Sequence, residues 1–125
     1  MAIETDLPIH ATGSKLLSLA IRMQVQMPRT VKRMLGEQVK ELCIDMLGAM
    51  ARANGSMKAE HRVPHIVHLL ELQRTLQILL RICLNDRYVS VDLWGQATSL
   101  LDSIGKQGGG WLKKTRTQTA GAPAA

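Results

Sequence analysis

The chain contains no phenylalanine, a single tyrosine, two tryptophans and two cysteines among its 125 residues. So little aromatic surface weighs against sheet modules that read single strands by stacking bases on Phe, Tyr or Trp, and leaves recognition by charge open. Cys43 and Cys83 stand far apart with no second cysteine near either, which suggests neither a disulfide framework nor a CxxC zinc site and predicts two reduced thiols. No apolar run approaches the ~18 to 20 residues of a membrane span, and the opening residues show no basic-then-apolar signal, so a cytoplasmic location is expected.

Hydrophobic residues make up 46% of the chain, too many for a disordered basic tail. The length allows one domain, or one subunit of an assembly. Sixteen Lys and Arg against ten Asp and Glu give a net charge of +6, and two of the acids, Glu4 and Asp6, lie in the first six residues. The balance favours an anionic partner: nucleic acid, an acidic protein or a membrane surface.

Apolar residues recur at helical spacing in four segments. The first runs from about His10 to Met27, with Leu16, Ala20, Met23 and Met27 on one stripe, Thr12 or Ser14 as its cap, and Pro28 ending it. The second, about Arg29 to Ala53, carries Val31, Leu35, Val39, Leu42, Met46 and Met50, and Asn54-Gly55 offers a left-handed C-terminal cap. Ser56 is placed to cap the third, which is expected to start near Met57, in preference to Val63, with an irregularity at Pro64. Its stripe from Ile66 through Leu69, Leu72, Leu76, Leu80 and Cys83 is wide enough to touch more than one neighbour. The fourth opens with Ser90 as cap and Asp92 in its first turn. Gly108 to Gly110 either ends it or, because the spacing resumes at Trp111 and Leu112, lies inside it and permits close backbone approach.

These segments predict an all-α, up-down-up-down antiparallel four-helix bundle over residues 10–115, with an N-terminal extension at 1–9 and a disordered tail at 116–125. The surplus apolar face of the third helix points toward self-association.

Few residues carry a signature of catalysis. His61, His65 and His68 are spaced for one helix face and are the only candidate metal ligands, but Pro64 interrupts them and no HExxH glutamate accompanies them; surface histidines are the favoured reading. Gly105 to Gly110 lacks the spacing of a phosphate loop, and Ser99, Asp102 and Ser103 have no histidine to complete a triad. No enzyme activity, metal or cofactor is expected. The basic residues say more. Arg29, Lys32 and Arg33 gather at the first junction, Arg74 and Arg81 sit among leucines, and Lys106 and Lys113 load the end of the fourth segment.

Ala97-Thr98-Ser99-Leu100-Leu101-Asp102-Ser103-Ile104-Gly105-Lys106, followed by Gly109-Gly110-Trp111-Leu112-Lys113, resembles the helix-four ending of a family of small four-helix-bundle proteins. That family includes the accessory variability determinant (Avd) of diversity-generating retroelements and the proteins encoded by intervening sequences of 23S rRNA genes. Met27-Pro28-Arg29 leading to Gly36, Ala53-Asn54, Leu72-Gln73-Arg74 and Leu79-Leu80-Arg81 add to the likeness, which spans residues 15–114; Thr75 and Gln107-Gly108 depart from it. The resemblance implies a homopentameric barrel and a non-catalytic accessory protein that binds a reverse transcriptase and its RNA or RNA/DNA, without sequence reading, for mutagenic retrohoming. Arg74 and Arg81 are its first candidate contacts, followed by Arg29, Lys32, Arg33, Lys106 and Lys113. The alternatives are a protein of the rRNA intervening-sequence branch and an oligomeric scaffold for an acidic protein.

Overall fold

A computed structural model describes residues 7–120, which form four helices joined by short turns, with no strand among the described residues. Helix α1 spans Pro8–Gln26. Proline suits a first turn, because its fixed φ is already helical and its missing N–H has no partner to lose there. The helix therefore starts ahead of His10, and the polar residues expected to cap it lie inside it: the Thr12 hydroxyl donates to the Pro8 carbonyl at 3.0 Å, and Ser14 Oγ lies 3.4 Å from His10 Nδ1. Ile9 is buried in the core with Leu7 packed beside it, so these residues belong to the bundle. Of the expected extension, residues 1–6 lie outside the described residues. Met27 leaves the helix at φ −70°, ψ 151°, as the steric demand of the following proline requires.

Helix α2 has three parts: a turn at Arg29–Val31, a π-helical segment at Lys32–Gly36, and an α-helical segment at Glu37–Gly55. The π segment has no signal in the periodicity. It is braced from α1 by Gln24, whose Nε2 donates to the Lys32 carbonyl and to Glu37 Oε2, both at 3.1 Å. Hydrogen bonds from Lys40 and Gln24 hold the Glu37 carboxyl below the ordinary carboxylate pKa. Gly36 permits this approach, since a Cβ there would lie 2.7 Å from Gln24 Cγ.

The end of α2 differs from expectation. No glycine among the described residues has positive φ; the chain leaves through Ser56 in an extended conformation. Ser56 serves α2 instead of the next helix, its hydroxyl donating to the Arg52 carbonyl at 2.9 Å. Helix α3, Ala59–Asn85, starts early as expected and runs through Pro64 without a break. The left-handed residue occurs after α3, at Arg87 with φ 61°. Arg87 N–H donates to Leu84 O at 3.1 Å and Tyr88 N–H to Cys83 O at 2.8 Å, the paired bonds of a Schellman motif with arginine where glycine is usual.

Helix α4, Val91–Ala120, begins as predicted, with Leu93 N–H donating to Ser90 Oγ at 3.2 Å. It continues across Gly108 to Gly110 and on to Ala120, so residues 116–120 extend the helix in place of the expected tail; 121–125 lie outside the described residues. The added turns are polar and so carry no apolar stripe. Threonine hydroxyls line them and donate one turn back, Thr117 to Lys113 O at 2.9 Å and Thr119 to Thr115 O at 3.1 Å.

Consecutive helices are antiparallel neighbours, and α1 closes the ring against α4. The register is visible in opposed pairs: Gly13 meets Leu47 and Met50, Gln24 meets Glu37, and Gly108 meets Leu70. Met23, Met46, Met50, Leu69, Leu76, Leu101 and Ile104 form a core with almost no solvent exposure. Methionine and leucine fill the interior that phenylalanine would occupy elsewhere. One polar group crosses it: Gln73, 7% exposed, donates Nε2 to the Leu101 carbonyl at 3.0 Å, beside Gly105. No described helix is long and apolar enough to cross a membrane.

Candidate functional site

The seven predicted basic residues fall into separate groups. Arg74 and Arg81 lie seven residues apart on α3, about 10.5 Å along the axis. Both are exposed and line a groove of about 570 Å³ with Gln77, Ile78, Ile82, Trp94 and Thr98. Trp94 enters from α4, and the Arg81 guanidinium lies 5.6 Å from its ring centroid. At that distance a cation–π attraction contributes about 0.5–1 kcal/mol on an exposed surface. The floor is apolar, with Ile78 63% and Ile82 41% exposed.

Arg29 and Arg33 form a second group with Thr30 and Met34, around a shallow depression of about 440 Å³ at the start of α2. Lys32 is half-buried in the π segment. Lys113 meets Arg116 across Gly109 and Leu112 near the far end of α4, whereas Lys106 is exposed and lines none of these depressions. The structure thus joins Arg74 with Arg81 and Arg29 with Arg33, and spreads the remainder over the surface.

Among the described residues, which include every lysine and arginine of the chain, only Lys40 makes an ion pair with a carboxylate, at 2.9 Å from Glu37 Oε1.

Two features escape the sequence reading. Trp94 shows in the sequence only as a side position on the fourth helix; its place under Arg81 depends on how α3 and α4 cross. A larger groove, about 970 Å³, lies between α1 and α4, where Ser14, Ser18, Gly95 and Ser99 are too small to close the gap. Their spacing of four is a readable signal. The surplus apolar face of the third helix is narrower than expected, since Leu72, Leu76 and Leu80 are consumed by the bundle's own core.

The other candidate constellations do not assemble. His61 Nε2 sits 4.0 Å from Glu60 Oε1 and His68 Nδ1 3.9 Å from Glu71 Oε2, and no group of three or more described His, Cys, Asp or Glu is placed to hold a metal. Gly105 to Gly110 is continuous helix and so offers no loop of free N–H groups. The Ser103 hydroxyl accepts from Gln107 Nε2 at 3.0 Å. Both cysteines are buried; burial pushes the Cys43 thiol up to about 12, and burial with the nearby Asp86 charge raises Cys83 to about 11. Neither is a nucleophile at neutral pH. Comparison with protein-family models, with curated proteins and with solved structures yields no match in any of the three.

Proposed function

We propose that this chain is a non-catalytic, basic accessory protein of a diversity-generating retroelement, which binds the reverse transcriptase and its RNA or RNA/cDNA in the cytoplasm during mutagenic retrohoming. The observation that carries the polyanion contact is the set of lysines and arginines that, Lys40 excepted, have no carboxylate partner among the described residues. The four-helix architecture and the helix-four motif support the choice of partner. Arg74 and Arg81, then Arg29, Lys32, Arg33, Lys106 and Lys113, meet phosphates and the polymerase without reading bases. Each phosphate neutralised releases condensed counterions, so affinity for RNA falls steeply with salt. The assembly is a homopentamer.

Fluorescence anisotropy with a poly-uridine RNA, titrated at several salt concentrations, tests the contact, and co-purification with the polymerase tests the partner. Alanine at both Arg74 and Arg81 is expected to weaken polymerase association or RNA binding; no change in either at moderate salt refutes the assignment. Light scattering should give five times the 13.8 kDa of one chain, and a monomer at micromolar concentration refutes the assembly.

A further inference from the structure

The groove between α3 and α4 is chemically unlike the other two basic depressions. Arg29 with Arg33 flank Thr30 and a single methionine, Met34, and Lys113 with Arg116 flank Gly109, Thr117 and a single leucine, Leu112. Beside Arg74 and Arg81 the surface is two isoleucines and an indole, with Gln77 and Thr98 as the uncharged polar members. Phosphate gains nothing from exposed isoleucine, and burying that apolar area requires an apolar occupant.

We propose that this groove is a protein-docking site for an amphipathic helix of a partner, one whose apolar stripe is flanked by carboxylates about two turns apart. Charge complementarity selects that occupant. Arg74 and Arg81 are the groove's only charged residues, both are cationic, and neither has an acidic partner among the described residues. Their seven-residue separation matches carboxylates at i and i+7 on an incoming helix, about 10.5 Å apart. Ile78, between the two charges along the axis, and Ile82, one residue beyond Arg81, stand one turn apart on the same face and form a ridge that would pack into the groove of that helix. Arg81 is partly organised before binding, because stacking on Trp94 restrains its guanidinium at the wall of the groove.

A second copy of this chain is a poor occupant. On α2, Ile44 is exposed between Glu41 and Asp45 but is a single apolar residue. On α1, Ile21 and Val25 form an exposed pair, but Arg22 and Lys15 are the nearby exposed charges and would face the arginines of the groove. A heterologous acidic helix has neither fault. This inference deepens the function proposed above and rests on it for the existence of a protein partner; it divides the surface, giving the groove to protein and the two other clusters to phosphate.

The test uses the full chain and a fluorescein-labelled synthetic helix of about 20 residues, with leucines on one stripe and glutamates two turns apart beside it. A lysine-for-glutamate version and poly-uridine RNA serve as comparisons. The acidic helix should bind saturably and perturb Trp94 fluorescence, and the lysine version should not bind. Ile78→Ser with Ile82→Ser, and separately Arg74→Glu with Arg81→Glu, should each weaken the acidic helix at least tenfold while leaving the melting curve of these surface variants unchanged. No saturable binding at about 100 µM, a concentration that detects even weak association, overturns the proposal. So does undiminished binding by the isoleucine variant. RNA binding that needs the two arginines but not the isoleucines makes the groove a phosphate contact, and a change in oligomer mass in the isoleucine variant makes it a contact between copies; each overturns the proposal. Peptide binding without RNA binding at any salt leaves the groove assignment standing and removes the retroelement reading. RNA binding through Arg29, Arg33 and Lys113 without peptide binding does the reverse.

Discussion

Gly105 and Gly110 lie in the same helix, yet alanine should act on them in opposite directions. In a helix interior, Gly→Ala stabilises by about 1 kcal/mol, because alanine loses less backbone entropy on ordering. At Gly109 and Gly110 nothing lies within 4 Å of the position a methyl carbon would take, so the whole gain should appear. The double substitution is expected to add about 2 kcal/mol, raising the melting temperature by roughly 8 °C for a domain of this size. At Gly105 a Cβ would stand 2.9 Å from Gln73 Nε2, closer than the two atoms can sit. That amide is buried and donates to the Leu101 carbonyl at 3.0 Å. Displacing it strands a buried donor at a cost of about 1–3 kcal/mol, which exceeds the gain in helix propensity. Gly105→Ala should therefore destabilise by about 1 kcal/mol net. In a Gln73→Ala background the same substitution meets no amide and should stabilise. Urea denaturation followed by circular dichroism at 222 nm reads all four corners of this cycle. Equal stabilisation by Gly105→Ala and Gly110→Ala, or a cycle with no coupling between residues 73 and 105, refutes the reasoning.

Two further outcomes are expected. Arg87→Gly should stabilise by about 1 kcal/mol in thermal melts, because Arg87 holds φ 61° in a Schellman turn where a Cβ is penalised; a loss of stability would show that the arginine side chain anchors the turn. Cys43 and Cys83 should resist a thiol-disulfide reagent at pH 8, because burial holds both thiols far above that pH and out of reach, and should react in full once urea unfolds the chain. Rapid reaction of either thiol in the folded protein would contradict the packing of α2 and α3.

The helices are legible where an apolar stripe meets a stop signal. Pro28 ends α1, and Ser90 with Asp92 opens α4, because each acts through local backbone chemistry alone. Legibility fails where tertiary contacts decide. Ser56 has the right chemistry for a cap and serves the preceding helix, since Lys58, in an extended conformation, takes the position before α3. The π segment is braced by a side chain eight residues upstream of the carbonyl it bonds, a contact that periodicity within α2 does not contain. Gln73 does carry a readable signal: a lone amide at core spacing between Leu69 and Leu76 has to find a partner, and the partner is the Leu101 carbonyl.

By itself the sequence determined an all-helical chain of four antiparallel segments, their approximate limits, and an excess of positive charge without aromatic stacking surface. Those properties are local or additive: helical spacing, proline and cap chemistry, and a count of charges. Helical spacing already pairs Arg74 with Arg81 and Arg29 with Arg33; what those cations meet on other helices was decided only by the tertiary structure. Arg81 meets Trp94 because α3 and α4 cross closely at Gln73 and Gly105. The groove that separates protein docking from phosphate contact depends on which isoleucines the core leaves outside, a choice made by the packing of all four helices together.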